Sequence, residues 1–95
     1  MFARGTSMEF RWIDWNREHI SEHGVHWEEA ESVVRQARPP FPEQVGNDKF
    51  LAMGAGHGGR LLQVIYVLDA DDTVFIIHAR PLTDREKQRF RRRSK

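Results

Sequence analysis

The chain has 95 residues and no cysteine, which supports one modest core and excludes disulfide frameworks, thiolate metal sites and cysteine nucleophiles, in keeping with a reducing compartment. No charged-then-apolar leader opens it and no apolar run approaches the roughly eighteen residues of a membrane span, so the expectation is a soluble, cytoplasmic protein that uses no membrane. Net charge is +1, but residues 1–79 carry −5 and residues 80–95 carry +6; a basic end on an acidic body suits a polyanion, an acidic partner or plain solvent.

Residues 1–7 lack periodicity and contain Gly5 and Thr6-Ser7, so they read as a disordered terminus before a single domain over residues 8–95. Residues 9–13 alternate Phe10 and Trp12 with charged or polar neighbours and read as a short edge strand. Asp14 is the expected N-cap of a first helix running to about residue 23, and Gly24 supplies the left-handed residue that ends it. With Gly24 at C′, Ile20 and Val25 are the pair joined by the apolar contact of such a stop. A second helix is expected over residues 27–38. Trp27, Ala30, Val33, Val34 and Ala37 keep helical spacing, Glu28, Glu29 and Glu31 suit the N-terminal dipole, and Pro39-Pro40 ends it. His26 stands in its N-cap slot, where Ser, Thr or Asp serves better. Residues 39–47 read as a proline-bearing loop.

Residues 49–53 read as a strand and residues 54–59 as the turn into the next. Four glycines in those six positions suggest a phosphate loop, yet no helix follows and no Gly-Lys-Ser/Thr ending is present, so a hairpin loop is the better reading. Residues 61–68 and 74–79, rich in Val, Ile and Leu, form two strands around the acidic turn Asp69-Ala70-Asp71-Asp72. Their continuous apolar character predicts a hairpin central in its sheet with both faces largely covered. Pro81 then breaks the strand, Thr83 or Asp84 caps, and residues 84–93 form a basic helix whose apolar content is Leu82 and Phe90. The order β, α, α, β, β, β, α with short strand connections predicts an α+β fold: a small antiparallel sheet, two N-terminal helices on one face and a C-terminal basic helix.

Asp14-Trp15-Asn16, His23-Gly24-Val25 and Trp27-Glu28-Glu29-Ala30 are followed by Gly59-Arg60-Leu61-Leu62, Val64-Ile65-Tyr66, Ile76-Ile77-His78-Ala79-Arg80, Arg85-Glu86 and Phe90. In order and spacing these pieces resemble the BrnT family over roughly residues 10–93. That family comprises small toxins of type II toxin–antitoxin systems, similar in fold to RelE-like ribonucleases. The resemblance implies an endoribonuclease that cleaves RNA without a metal or other cofactor and inhibits translation and growth. Its implied partners are a cognate ribbon-helix-helix antitoxin and an RNA substrate, with operator DNA reached only through the antitoxin. The chain has His78 where members usually carry Ser, Phe75 for a basic residue, Phe90 for Tyr, and His26 near a usual Ser or Thr. It keeps Arg60, Tyr66, Arg80 and Glu86.

Cleavage by the ribose 2′-hydroxyl needs a base for its proton, an acid for the departing 5′ oxygen, and cations where charge builds on the phosphate. Histidine serves either proton role near neutral pH, and arginine's planar fork suits phosphate oxygens. His78 and Arg80 share a strand face about 6 to 7 Å apart, so one phosphate can touch both. Arg60 opens one strand of the hairpin and Arg80 closes its partner, which brings them to one end of the sheet. Paired residue numbers with an even sum place Arg60 on the face of His78 and Arg80, and an odd sum separates them. The candidate catalytic set is Arg60, His78 and Arg80; each also has a structural reading, as a hydrogen-bonded strand histidine or as strand-end arginines in ion pairs. Tyr66 lies about 20 Å along its strand from Arg60 and is left out.

Arg85, Arg89, Arg92 and Arg93 form a basic stripe on the last helix, suited to an RNA backbone or to an acidic segment of the antitoxin. His19 and His23, four apart with His26 close by, lack a recognised zinc pattern, so no metal site is assigned; His23 also fits a helix end, where a cationic ring favours the dipole. The alternative function is a non-catalytic toxin relative that binds protein or nucleic acid, and a weaker one is a structural subunit of an oligomer.

Overall fold

A computed structural model describes residues 8–93, so the terminus expected over residues 1–7 lies outside the described residues. Helices α1 (Asp14–Ser21) and α2 (Trp27–Arg35) precede strands β1 (Glu43–Gln44), β2 (Lys49–Ala55), β3 (Leu61–Leu68) and β4 (Val74–Pro81), and helix α3 (Asp84–Arg93) follows. The strands form one sheet in the order β1-β2-β3-β4, each pair antiparallel.

The first helix starts differently from the expectation. Ile13, which has no polar side chain, is the N-cap, and its N–H donates to Asn16 Oδ1 at 2.8 Å; Asp14 sits inside the first turn, where its charge meets the helix dipole. The stop is as expected. Gly24 has φ +75°, the Val25 N–H donates to the Ile20 carbonyl at 3.3 Å, and the Gly24 N–H donates to Ser21 at 2.9 Å, the bond pair of a Schellman ending. Helix α2 ends at Arg35, shorter than expected, with one further turn in which the Ala37 N–H reaches the Val34 carbonyl at 3.4 Å. His26 does cap it: Nδ1 accepts from the Glu28 N–H at 3.3 Å.

Both helices lie on one face of the sheet. Ile20, Ala30, Val33 and Val34 bury against Ala52, Leu62, Val64, Tyr66, Val74, Ile76 and Ala79, every second residue of each strand until a bulge in β4. Each large aliphatic side chain buried there contributes about 1.5–3 kcal/mol.

The hairpin is less central than its composition predicts. β3 is interior, but β4 is the last strand of the sheet. Residues 9–11 run beside it as a single parallel bridge, Val74 donating to the Glu9 carbonyl at 2.8 Å and Arg11 to the Val74 carbonyl at 2.9 Å. This is all that forms of the expected edge strand. Farther along, the fully buried Asn16 satisfies the same edge, donating through Nδ2 to the carbonyls of Ile76 at 3.0 Å and Arg11 at 3.2 Å. Nor is the second sheet face fully covered: Leu51, Met53, Ile65 and Phe75 on it are half-buried. Helix α3 lies over part of that face, Phe90 lining a cleft with Leu51 and Met53. Its start is a capping box, with the Glu86 N–H donating to Thr83 Oγ1 at 3.2 Å and the Thr83 N–H to Glu86 Oε1 at 2.9 Å. The two-residue β1 forms inside the loop expected over residues 39–47, pairing Glu43 with Leu51. Among the described residues no helix is long and apolar enough to cross a membrane.

Candidate active site

A bulge decides which side chains meet. Gln63 pairs with Arg80 and Ile65 with His78, but the next residue, Tyr66, pairs with Ile76, leaving Ile77 as the extra residue. Val74, Ile76 and Ala79 therefore all face the core, while His78 and Arg80 turn to the second face. At this end the paired numbers sum to an odd total, and Arg60 is separated onto the helix-covered side.

His78 does not stand alone. Trp15 and His19, one helical turn apart, line the side of α1 that overhangs β4, and His23 continues the row from the turn after the helix. The His78 ring lies 5.5 Å from His23 and 6.3 Å from His19, and those two are 6.4 Å apart. Burial, the largest cause, and then the positive charge of His23, Arg80 and His19 push the His78 imidazole below its ordinary pKa of 6.5. It is held neutral at pH 7, the form that accepts a proton. The four-residue spacing of His19 and His23 was visible in the sequence; that their third partner is His78 from a distant strand, and not the nearby His26, was not. Among the described residues no group of three His, Asp or Glu is arranged to hold a metal ion.

Arg80 is on the face of His78, but its fork is occupied. Nη1 donates to Glu86 Oε1 at 2.8 Å and the Pro81 carbonyl at 3.1 Å, and Nη2 to Glu86 Oε2 at 2.8 Å and Gln63 Oε1 at 3.3 Å. The bonds that Glu86 accepts from Arg80, and then from the Thr83 N–H, hold its carboxyl down at about 2, and donating to Glu86 raises Arg80 above its ordinary value. The pair ties the start of α3 to the sheet. Only the Nε–H of Arg80 has no described acceptor.

Arg60 holds a corner elsewhere. Its Nη2 donates to the Gly24 carbonyl and to Glu29 Oε1, both at 2.8 Å, so it clamps the turn that follows His23 to a Glu29 side chain only 5% exposed. Gly56 is part of this clamp: a Cβ there would meet Glu29 Cγ at 2.5 Å and Leu62 Cδ1 at 2.8 Å. The glycine-rich stretch is thus a hairpin loop with a packing requirement.

Arg85, Arg89 and Arg92 are exposed on α3 and bond to no described residue; Arg93 ends the helix, and its side chain lies outside those described. Between α3 and β2 lie two clefts of about 200 and 410 Å³, lined by Met53 and Phe90 with Leu51, Glu86 and Arg89 or with Arg38 and Pro39. Neither includes His78. The titratable cluster, where a proton can move, is the better mark of chemistry.

The chain matches no protein-family model, and no match is found among curated proteins. Among solved structures it is similar to the Brucella abortus ribonuclease toxin BrnT, known from a 1.1 Å crystal structure: the likeness covers 82% of this chain and 100% of that one, with a TM-score of 0.65 and 19% sequence identity. The antiparallel sheet with N-terminal helices packed on it and a helix at its C-terminal end is the RelE-like fold, in the form BrnT has.

Proposed function

We propose that the chain is an endoribonuclease toxin of a type II toxin–antitoxin system, working without a metal and silenced by a ribbon-helix-helix antitoxin. The observation that carries this reading is the His19–His23–His78 cluster beside Arg80 on a fold similar to a ribonuclease toxin. His78, neutral, takes the proton of the ribose 2′-hydroxyl. The freed oxygen attacks phosphorus, the bond to the 5′ oxygen breaks, and that oxygen takes a proton from His19 of α1 or from His23 in the turn after it. The products are a 2′,3′-cyclic phosphate and a 5′-hydroxyl.

Arg80 contributes positive charge to the phosphate through its unbonded Nε–H, held in place by Glu86. Arg60 is a positioning residue in this scheme, fixing the corner from which His23 projects. Arg85, Arg89 and Arg92, with Arg93, track the RNA backbone and offer the antitoxin a surface to cover; operator DNA is reached only through that antitoxin. The alternative, a non-catalytic relative that binds protein or nucleic acid, is favoured by one feature, the saturated Nη atoms of Arg80.

Controlled expression in a bacterial host separates the two. The toxin reading expects growth arrest that His78→Ala abolishes and co-expression of a cognate ribbon-helix-helix antitoxin relieves. Normal growth on expression of soluble wild-type protein would favour the binding module.

A further inference from the structure

Three tryptophans have different surroundings. Trp12 and Trp27 pack edge-on at 6.2 Å, and Trp12 Nε1 donates to Glu31 Oε2 at 2.7 Å; both are packed against the core. Trp15 is 52% exposed. Its neighbour Asn16, fully buried and bonded to β4, fixes the helix beneath it, so the indole is presented rigidly to solvent. The ring is nearly parallel to His19 (5.3 Å, 8°) and to Phe75 (6.2 Å, 15°). At those separations parallel rings are displaced sideways and do not cover one another face to face, so together they make a shelf. Arg11, ion-paired with Asp69 at 3.1 Å, lays its guanidinium over the Phe75 ring, 4.1 Å from its centre, and His19 lies 6.3 Å from His78.

Resting on the ribonuclease reading above, we infer that Trp15, Phe75 and His19 form a base-stacking subsite that holds the nucleobase next to the scissile phosphate of single-stranded RNA. Every nucleobase has a π-face, so the shelf grips any base and selects little among them, while the cations around it serve the backbone. A carboxylate side chain would satisfy the same cations but has no ring to lay on the shelf. The subsite also gives the cluster a substrate register: the base is immobilised on α1 against His19, whose ring lies 6.3 Å from His78.

The test compares wild-type protein with Trp15→Ala and Trp15→Phe in binding a non-cleavable 2′-O-methyl oligonucleotide and an abasic oligomer of equal length. Stacking predicts that Trp15→Ala weakens the base-bearing oligomer by about 5- to 100-fold, leaves the abasic one unchanged, and that Trp15→Phe recovers most of the loss. Equal weakening of both oligomers, no weakening of either, or wild-type binding indifferent to the presence of bases would each overturn the subsite while phosphate binding, and the ribonuclease reading with it, stands. Binding of poly-glutamate that Trp15→Ala abolishes would assign the shelf to a protein partner instead. Failure of wild type to bind either oligomer, together with failure to cleave RNA, would defeat the ribonuclease reading itself.

Discussion

Glu86 is the residue at which stability and substrate binding are expected to move in opposite directions. Its carboxylate takes two charge-assisted bonds from Arg80 at 2.8 Å each and closes the α3 capping box through the Thr83 N–H at 2.9 Å. Charged hydrogen bonds contribute about 1.5–3 kcal/mol and fully exposed ion pairs only about 0–1. With side-chain exposures of 29% and 17% for Arg80 and Glu86, and one neutral acceptor retained by glutamine, Glu86→Gln should cost about 2 kcal/mol at pH 7. In a domain of this size that lowers Tm by roughly 4–8 °C per kcal/mol. The pH dependence gives the sign. Glu86 is depressed from its ordinary 4.5 to about 2, so its contribution is complete above 4.5 and is lost as pH falls toward 2. Protonated Glu86 resembles glutamine; urea unfolding of the two proteins from pH 7 downward should therefore converge near the bottom of that window. Meanwhile the freed Arg80 should bind RNA with a salt slope steeper by about 0.7. Equal stability at pH 7, or a gap that persists unchanged once the carboxylate is protonated, would refute the assignment of Arg80 and Glu86 as a coupled pair.

Arg60→Ala leaves the Glu29 carboxylate buried without its cation and should cost about 2 kcal/mol, below the 3–5 of a fully buried pair because Arg60 is partly exposed. Glu29→Gln in the same chain should restore part of that loss, and an uncorrected loss in chemical unfolding would contradict the clamp. The acid limb of the cleavage profile should lie below 6.5, because His78 resists protonation; stability falls as pH drops from 6.5 toward the lowered value, since the unfolded chain binds that proton more readily. A limb at or above 6.5 would assign the base to another group. Neutralising Arg85, Arg89 and Arg92 together should reduce the salt slope of RNA binding by about 2 with no change in Tm beyond a degree or so; an unchanged slope would make the stripe a solvated surface.

Where a structural signal is local, the sequence carried it. The hairpin strand over residues 61–68 matches β3, and the Gly24 stop shows the expected left-handed φ and the buried Ile20–Val25 pair. Where it depends on pairing across the chain, it did not. The bulge at Ile77 carries no glycine or proline to announce it, yet it alone turns His78 away from the core and separates Arg60 from Arg80. Composition likewise overstated the covering of the second face, because a continuous apolar strand looks the same whether a helix covers it or an open surface uses it. His78 could be read as a proton-transfer candidate; its two partners, on α1 and in the turn after it, required the packing that Asn16 and Ile20 dictate.

The central claim is tested most directly by incubating the purified protein with RNA, with and without chelator, beside a folded His78→Ala variant. The account predicts cleavage by wild type that chelator leaves intact, fragments ending in 2′,3′-cyclic phosphate, and none from the variant. Loss of cleavage in chelator with recovery on adding a divalent ion, or unimpaired cleavage by His78→Ala, would contradict it.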